Sequence, residues 1–164
     1  MQLTIREGFK ISPFYESDTV EIKAEQSYGE RLRSVCFYYD ITKECYPWKE
    51  PEAYLPPLFS VWKEAEKELM PLFRSRKTMQ VTSNMIRMTA LCIDALFWMN
   101  KKELIELNDL ATQTDSLALK PANIKERLMF ILTKPNSYHS FTQLRMLMQE
   151  IEKCYARSKL IQRK

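Results

Sequence analysis

Residues Thr78 to Asn100, TMQVTSNMIRMTALCIDALFWMN, leave few choices for the fold. From Met85 to Met99 every position is apolar except Arg87, Thr89 and Asp94. A helix that is apolar around most of its circumference has to be enclosed by other elements. The uncharged runs on either side of Arg87 and Asp94 fall far short of the roughly 20 residues of a membrane span, so the stretch reads as the centre of a bundle and no membrane partner is expected.

The remaining chain supplies the enclosure. Ser27-x-x-Glu30 is a capping box, and Tyr28, Leu32, Val35, Cys36 and Tyr39 follow at helical spacing. Residues 40–56 read as a loop bearing Pro47, Trp48, Pro51 and Tyr54. Pro56 and Pro57 suit the first turn of the next helix, where a missing N–H costs little, and Pro71 suits its end. Leu58, Trp62, Ala65, Leu69 and Phe73 form its stripe. Further helices are predicted over Lys102–Gln113 and from Asn123, whose Asn123-x-x-Glu126 spacing suggests another cap. A last helix begins near Ser137 or Ser140 and follows the seam Phe141, Leu144, Met148, Ile151 and Tyr155, with a tail fraying from Arg157. Residues 1–26 lack helical periodicity, and Val20, Ile22 and Ala24 alternate like a strand. The expectation is an all-α single-domain bundle over 27–164, of five to seven helices around the central helix 78–100. An extended N-terminal arm, 1–26, lies over it with at most one small hairpin.

Several chemistries lack their parts. The chain has only Gly8 and Gly29, so neither a P-loop nor a Gly-x-Gly-x-x-Gly turn can be built. Its four cysteines include no Cys-x-x-Cys pair, and the single histidine, His139, cannot supply a zinc site on its own. With no secretory leader, the thiols are expected to be free and the protein cytoplasmic. A Cys–His pair of His139 with Cys154 fails on distance, since fifteen helical residues span roughly 22 Å. No cofactor is expected, and the protein reads as a non-enzyme. Asp94 stands alone among apolar residues, where a carboxyl's pKa rises, but it has no evident partner carboxylate.

Three groups of residues are candidates for binding. Gln80, Asn84, Arg87, Leu91, Asp94, Trp98 and Lys101 share one face of the central helix. That face is either a polar groove anchored by Trp98, a solvent-facing edge, or a buried network with charges from neighbouring helices. Trp48 and Tyr54 either form a binding lip or plug a bundle end. Tyr138 and His139, with Ser137, stand at a helix start that either holds an anion or is merely capped. Charge is unevenly spread: residues 1–56 carry 7 basic and 10 acidic groups, net −3, and residues 57–164 carry 18 and 11, net +7. The basic groups Arg74, Arg76 and Lys77, and Arg157, Lys159, Arg163 and Lys164, could contact nucleic acid. A helix-turn-helix over 123–155 fits in outline only, because its second helix spends its best face on apolar contacts.

The segment LKPANIKERLMFILTKPNSYHSFTQLRMLMQEIEKCY, Leu119 to Tyr155, resembles the C-terminal half of the YpoC-like proteins of Gram-positive bacteria. The words that carry it are Lys120-Pro121, Glu126-Arg127-Leu128, Pro135, Tyr138-His139 and Gln143-Leu144. The DALFWMN run from Asp94 to Asn100 is similar to that family's central helix, and the likeness spans about residues 45–155. It implies a small, soluble, helical protein without assigned activity. The family's gene setting, near replication and base-excision repair functions, implies an accessory role in DNA metabolism. It carries over no catalytic residue. The sequence therefore points first to a non-catalytic module holding an unidentified protein partner, and second to a nucleic-acid-binding accessory factor. It leaves the oligomeric state open, a homodimer included.

Overall fold

The structure, a computed structural model, describes residues 1–162. Arg163 and Lys164, named above as basic candidates, lie outside the described residues. The elements are β1 (Gln2–Thr4), β2 (Thr19–Glu21), α1 (Tyr28–Ser34), α2 (Tyr38–Thr42), α3 (Pro51–Arg74), α4 (Thr78–Met99), α5 (Leu110–Asp115), α6 (Ile124–Thr133) and α7 (Tyr138–Gln162). The fold is all-α apart from one antiparallel ribbon, in which Leu3 pairs with Val20.

α4 is the centre. Leu91 to Met99 are buried without interruption, so for more than two turns this helix has no solvent face. α3, α7, α1 and α6 all pack against it. Each fully buried Leu, Ile or Met side chain contributes roughly 1.5–3 kcal/mol relative to exposure. The surface ion pairs contribute about 0–1 kcal/mol each, so the core, not the charge network, holds the bundle.

α3 runs antiparallel to α7, and the order of their contacts fixes the geometry. Phe59 lies against Tyr155, with ring centroids 6.3 Å apart. Lys63 pairs with Glu152 at 3.0 Å and Glu66 with Arg145 at 3.3 Å. Phe73 stacks on Phe141 with centroids 5.1 Å apart. The turn from α3 into α4 therefore sits at the N-terminal end of α7.

Local structure departs from the periodicity at four places. First, the stripe predicted as one helix from Ser27 to Tyr39 is broken. Ser27 caps α1 as expected, accepting the Glu30 N–H. But Val35 is extended and Phe37 is left-handed, at φ 58°. The break drives Phe37 into the core against Phe9 and Phe14, with centroids at 5.8 and 4.9 Å. The Cys36 carbonyl freed by the break accepts the Tyr15 hydroxyl at 2.7 Å.

Second, α3 begins at Pro51, not Pro56, so Pro56 and Pro57 lie inside the helix and Pro71 does not end it. Each proline removes one helical donor. The carbonyls left without one belong to Glu52, Ala53 and Lys67, all on the exposed face.

Third, no helix forms over 102–109. Leu104 and Leu107 are buried as expected, but the backbone there is irregular, with a turn at Asn108–Asp109, and its donors are used elsewhere. The Leu107 N–H goes to the Gly8 carbonyl at 2.8 Å. A Cβ on Gly8 would stand 2.7 Å from the Glu106 Cβ, so this approach requires glycine.

Fourth, Asn123 precedes α6 in a left-handed conformation and its side chain does not cap the helix. At α7 the serine turn behaves as read: Ser137 Oγ accepts the Ser140 N–H at 3.0 Å. α7 does not fray at Arg157. It continues to Gln162 as an exposed helix after its last buried residue, Tyr155.

Asn100 closes the end of α4. Its Nδ2 donates to the carbonyls of Leu96 and Leu119 at 2.7 and 2.8 Å, and its Oδ1 accepts the Leu119 N–H at 2.8 Å. Asn100→Ala leaves the Leu119 amide and carbonyl without these partners. It is expected to cost about 2 kcal/mol, read as a lower urea midpoint at unchanged slope.

Candidate functional site

The least ordinary chemistry in the molecule lies where α2 meets α4. The break after α1 turns the five-residue helix α2 so that Asp40 faces the last turns of α4. Asp40 is fully buried and Asp94 is 3 % exposed. Trp98 Nε1 donates to Asp40 Oδ1 at 3.1 Å, and the Leu104 backbone N–H supports the same carboxylate. Asp94 Oδ1 and Asp40 Oδ2 are both buried and take no bond from any protein donor. Burial raises the pKa of both groups. Asp94 is raised further because the negative charge of Asp40 and a hydrogen bond to it favour the protonated form. Two carboxyls sharing one buried site cannot both ionise. The proton therefore sits on Asp94, and Asp40 carries the charge under Trp98.

Asp94 is thus not the solitary carboxyl expected from the sequence. Its partner comes from a position read as the start of a loop. The signal for Asp40 was its place directly after Phe37-Tyr38-Tyr39, an apolar run too bulky to be exposed. The pair is capable of acid–base chemistry, but neither aspartate lines the neighbouring cleft.

This cleft is bounded by the N-terminal arm, α1 and α4. It has two adjoining compartments, which share Ser34 and Arg87. The inner one, about 290 Å³, has walls from Phe14, Tyr15, Val20, Ile22, Val35 and Ile86. The outer one, about 520 Å³, is polar, with Lys23, Gln26, Arg33 and Asn84. The Cys36 thiol borders the inner compartment, and burial pushes its pKa up to about 12 despite the nearby Arg87. It is an inert thiol rather than a nucleophile.

The face of α4 singled out from the sequence is therefore split along its length. Gln80 is exposed, Asn84 and Arg87 are half-buried at the cleft, and Leu91, Asp94 and Trp98 are enclosed. Trp98 is fully buried and cannot anchor a surface ligand. The buried part of the network pairs Asp94 with another acid, not with a basic group of a neighbouring helix.

The other candidates are scattered. Trp48 is buried, packed edge-on against Tyr46, which is exposed. Tyr54 is half-buried against Tyr28, whose hydroxyl donates to the Tyr54 carbonyl at 2.9 Å. Tyr138 is exposed and packs against Phe73 and Phe141. His139 is exposed at the start of α7 and borders neither compartment of the Arg87 cleft. Arg87, Asp94 and His139 thus do not converge on one pocket.

Arg74, Arg76 and Lys77 are exposed at the α3–α4 turn. Arg157 and Lys159 are at the far end of α7, Lys159 with its ammonium 5.3 Å from the Tyr155 ring centre. Among the described residues, no group of three or more His, Cys, Asp or Glu side chains is placed to hold a metal ion. None of their helices is long and apolar enough to cross a membrane.

The family comparison falls on the part of the chain that carries α3 to α7. The profile of the family described as YpoC-like protein matches residues 52–163. The match takes in Asp94, Trp98 and Arg87 but not Asp40 or the N-terminal arm. A relative from Bacillus subtilis (strain 168), named Uncharacterized protein YpoC, is 29% identical over 134 residues, covering 80% of this chain and 82% of its own. No solved structure matches significantly. The match over residues 52–163 spans more than half of the sequence, and the chain belongs to the YpoC-like family.

Proposed function

We propose that this protein is a non-catalytic interaction module that receives an amphipathic helix of a protein partner in a trough between its N-terminal arm and α5–α6. The observation that carries this reading is the trough itself. It is about 460 Å³ and is lined by Ile11, Phe14, Leu107, Leu110, Met129 and Leu132. On α6, Met129 is 47% exposed and Phe130 51%, although the same helix buries Ile124, Leu128 and Ile131. α6 thus has apolar side chains on a second face that its own core does not use. A trough walled by a helix and floored by apolar side chains suits the i, i+3, i+4 stripe of a partner helix. The aromatic loop is a poorer surface, because Trp48 is spent on the core.

A photo-crosslinking residue at Thr133, which borders the trough, is expected to give a discrete adduct in cells. One at Glu64 on the solvated face of α3 is expected to give none. Met129→Glu with Phe130→Glu is expected to abolish the Thr133 adduct while shifting stability by no more than about 0.5–1 kcal/mol, as surface changes do. Equal labelling at both positions, or an adduct that survives the double change, contradicts the reading.

The nucleic-acid alternative has less support. Its two basic groups are separated by most of α7, since Arg157 lies sixteen residues beyond Phe141 and so roughly 24 Å along the helix. The α3–α4 turn alone offers three cations, a salt slope of at most about 3 on duplex DNA. Fluorescence anisotropy with duplex and single-stranded DNA is expected to show no micromolar binding at physiological salt. Such binding, lost on charge reversal at Arg74, Arg76 and Lys77, would put this alternative first.

A further inference from the structure

Arg87 is a half-buried guanidinium that, among the described residues, has no carboxylate partner and no backbone carbonyl. Arg6 reaches the Asp40 carbonyl, though its Nε is buried without a partner, and four further arginines packed into the body of the protein have carbonyl or carboxylate acceptors. Arg31 donates to the carbonyls of Lys23 and Ala24, Arg33 pairs with Glu68, Arg127 with Glu150 and Arg145 with Glu66. Arg87 has one contact at the limit of hydrogen bonding, to Asn84 Oδ1 at 3.5 Å, and no carboxylate partner among the described residues. It is half-buried and lines both compartments of the cleft. A guanidinium offers five donors and takes planar or tetrahedral oxyanions two donors at a time.

The two carboxylates bordering the cleft do not compete for it. Glu30 is turned back to the cap of α1, where it meets Ser27 Oγ at 3.1 Å. Glu21 lies 3.7 Å from the N-terminal ammonium. Lys23 adds positive charge to the outer compartment, where Arg33 is already paired with Glu68. The inner compartment sets apolar side chains beside polar ones, and Arg87 and Ser34 line both compartments.

We propose that this cleft binds a small organic anion, with its carboxylate or phosphate on Arg87 and its apolar body in the inner compartment. The division of the cleft sets the ligand's division. A bare inorganic anion leaves the walls of Phe14, Val20, Val35 and Ile86 uncovered, and a neutral apolar molecule leaves the guanidinium without an acceptor. Ligand sites of this kind combine apolar walls with a few directed polar groups. The site is separate from the trough of the proposed function, which lies on the other side of Pro13 and Phe14. Either can fail without the other.

The test is a titration of the full, isotope-labelled chain followed by amide and Arg Nε–H nuclear magnetic resonance, with phenyl phosphate, phenylacetate, inorganic phosphate and neutral phenylacetamide as probes. Saturable shifts are expected at Ser34, Ile86 and the Arg87 Nε–H, with one of the two aromatic anions binding tightest. The better of these two names the head group. Arg87→Gln is expected to weaken that probe about tenfold or more, and Arg87→Lys to retain part of the affinity. A thermal melt on each variant shows that it is folded, and Arg74→Gln is expected to change nothing. The proposal is overturned if Arg87→Gln binds as well as the unchanged chain. It is equally overturned if phenylacetamide matches phenylacetate, if inorganic phosphate matches phenyl phosphate, if the shifts map to Arg74–Lys77, or if no probe saturates at millimolar concentration.

Discussion

Replacing Trp98 with alanine is expected to cost at least about 4 kcal/mol, a large share of the 5–15 kcal/mol that holds a typical domain together. The indole is fully buried, and Tyr39 packs edge-on against it with centroids 6.4 Å apart. Truncation opens a cavity in the most enclosed part of α4, where surrounding helices leave little room for collapse. It also removes the Nε1 donor from Asp40, a fully buried carboxylate. Trp98→Phe separates the two effects. It keeps most of the volume and loses the N–H, and is expected to cost about 1.5–3 kcal/mol, the range for a hydrogen bond to a charged group. Urea unfolding of both variants at neutral pH checks this. A Trp98→Phe variant as stable as the unchanged chain would mean that the indole N–H does not support the charge on Asp40.

The contrast between Trp98 and Trp48 shows what a linear reading can and cannot reach. The enclosure of α4 was legible, because a run such as Ala95-Leu96-Phe97-Trp98-Met99 has no polar side to turn outward. The seams of α3 and α7 were legible for the same reason, as was the Ser27 cap, whose partner lies three residues away. What failed was long-range. The periodicity of Leu104, Leu107 and Leu110 fits a helix, but the backbone of 102–109 has better partners in Gly8 and Asp40, a hundred and more than sixty residues away. The stripe from Leu32 to Tyr39 fits one helix, yet Phe37 gains more by breaking it to reach Phe9 and Phe14. A left-handed residue with a side chain costs about 1–2 kcal/mol, less than an aromatic ring buried in the core returns.

The candidate site failed in the same way. Asp94 was visible as an anomaly and Asp40 was not, because what makes Asp40 unusual is its neighbour on another helix. Arg87 looked like one member of a polar stripe. Only the packing of the arm against α1 and α4 shows that it, and not Asp94 or Trp98, borders an open cleft.

The acid pair also predicts that stability falls as pH rises, the reverse of the usual carboxylate behaviour. A carboxyl whose pKa is higher in the folded state holds its proton in the fold when the unfolded chain has released it. Its stabilising contribution is complete below the ordinary carboxyl value, near 3.8, and is lost as pH climbs toward the folded value. For Asp40 that value is about 6, and Asp94 is raised well above the ordinary carboxyl value by burial and by its neighbour's charge. Each proton so retained costs about 1.4 kcal/mol of stability per pH unit across the window.

Asp94→Asn removes the contribution without removing the contacts. The amide has the shape of the neutral acid and supplies a donor to the Asp40 carboxylate. The variant is expected to match the unchanged chain near pH 4 and to exceed it by a margin that grows as pH rises to 7, with a flatter profile between. Exposed groups such as Asp18, held below the usual carboxylate range by Lys10, act with the opposite sign but equally in both proteins, so the difference isolates Asp94. Urea unfolding from pH 4 to pH 8 reads it directly, and stops short of the range where the buried tyrosines and cysteines titrate. Parallel profiles for the two proteins would show that Asp94 is already ionised in the fold, and that Asp40 rather than Asp94 carries the proton. In that case Asp40→Asn should give the flattened profile instead, because one of two buried acids sharing a site must stay neutral.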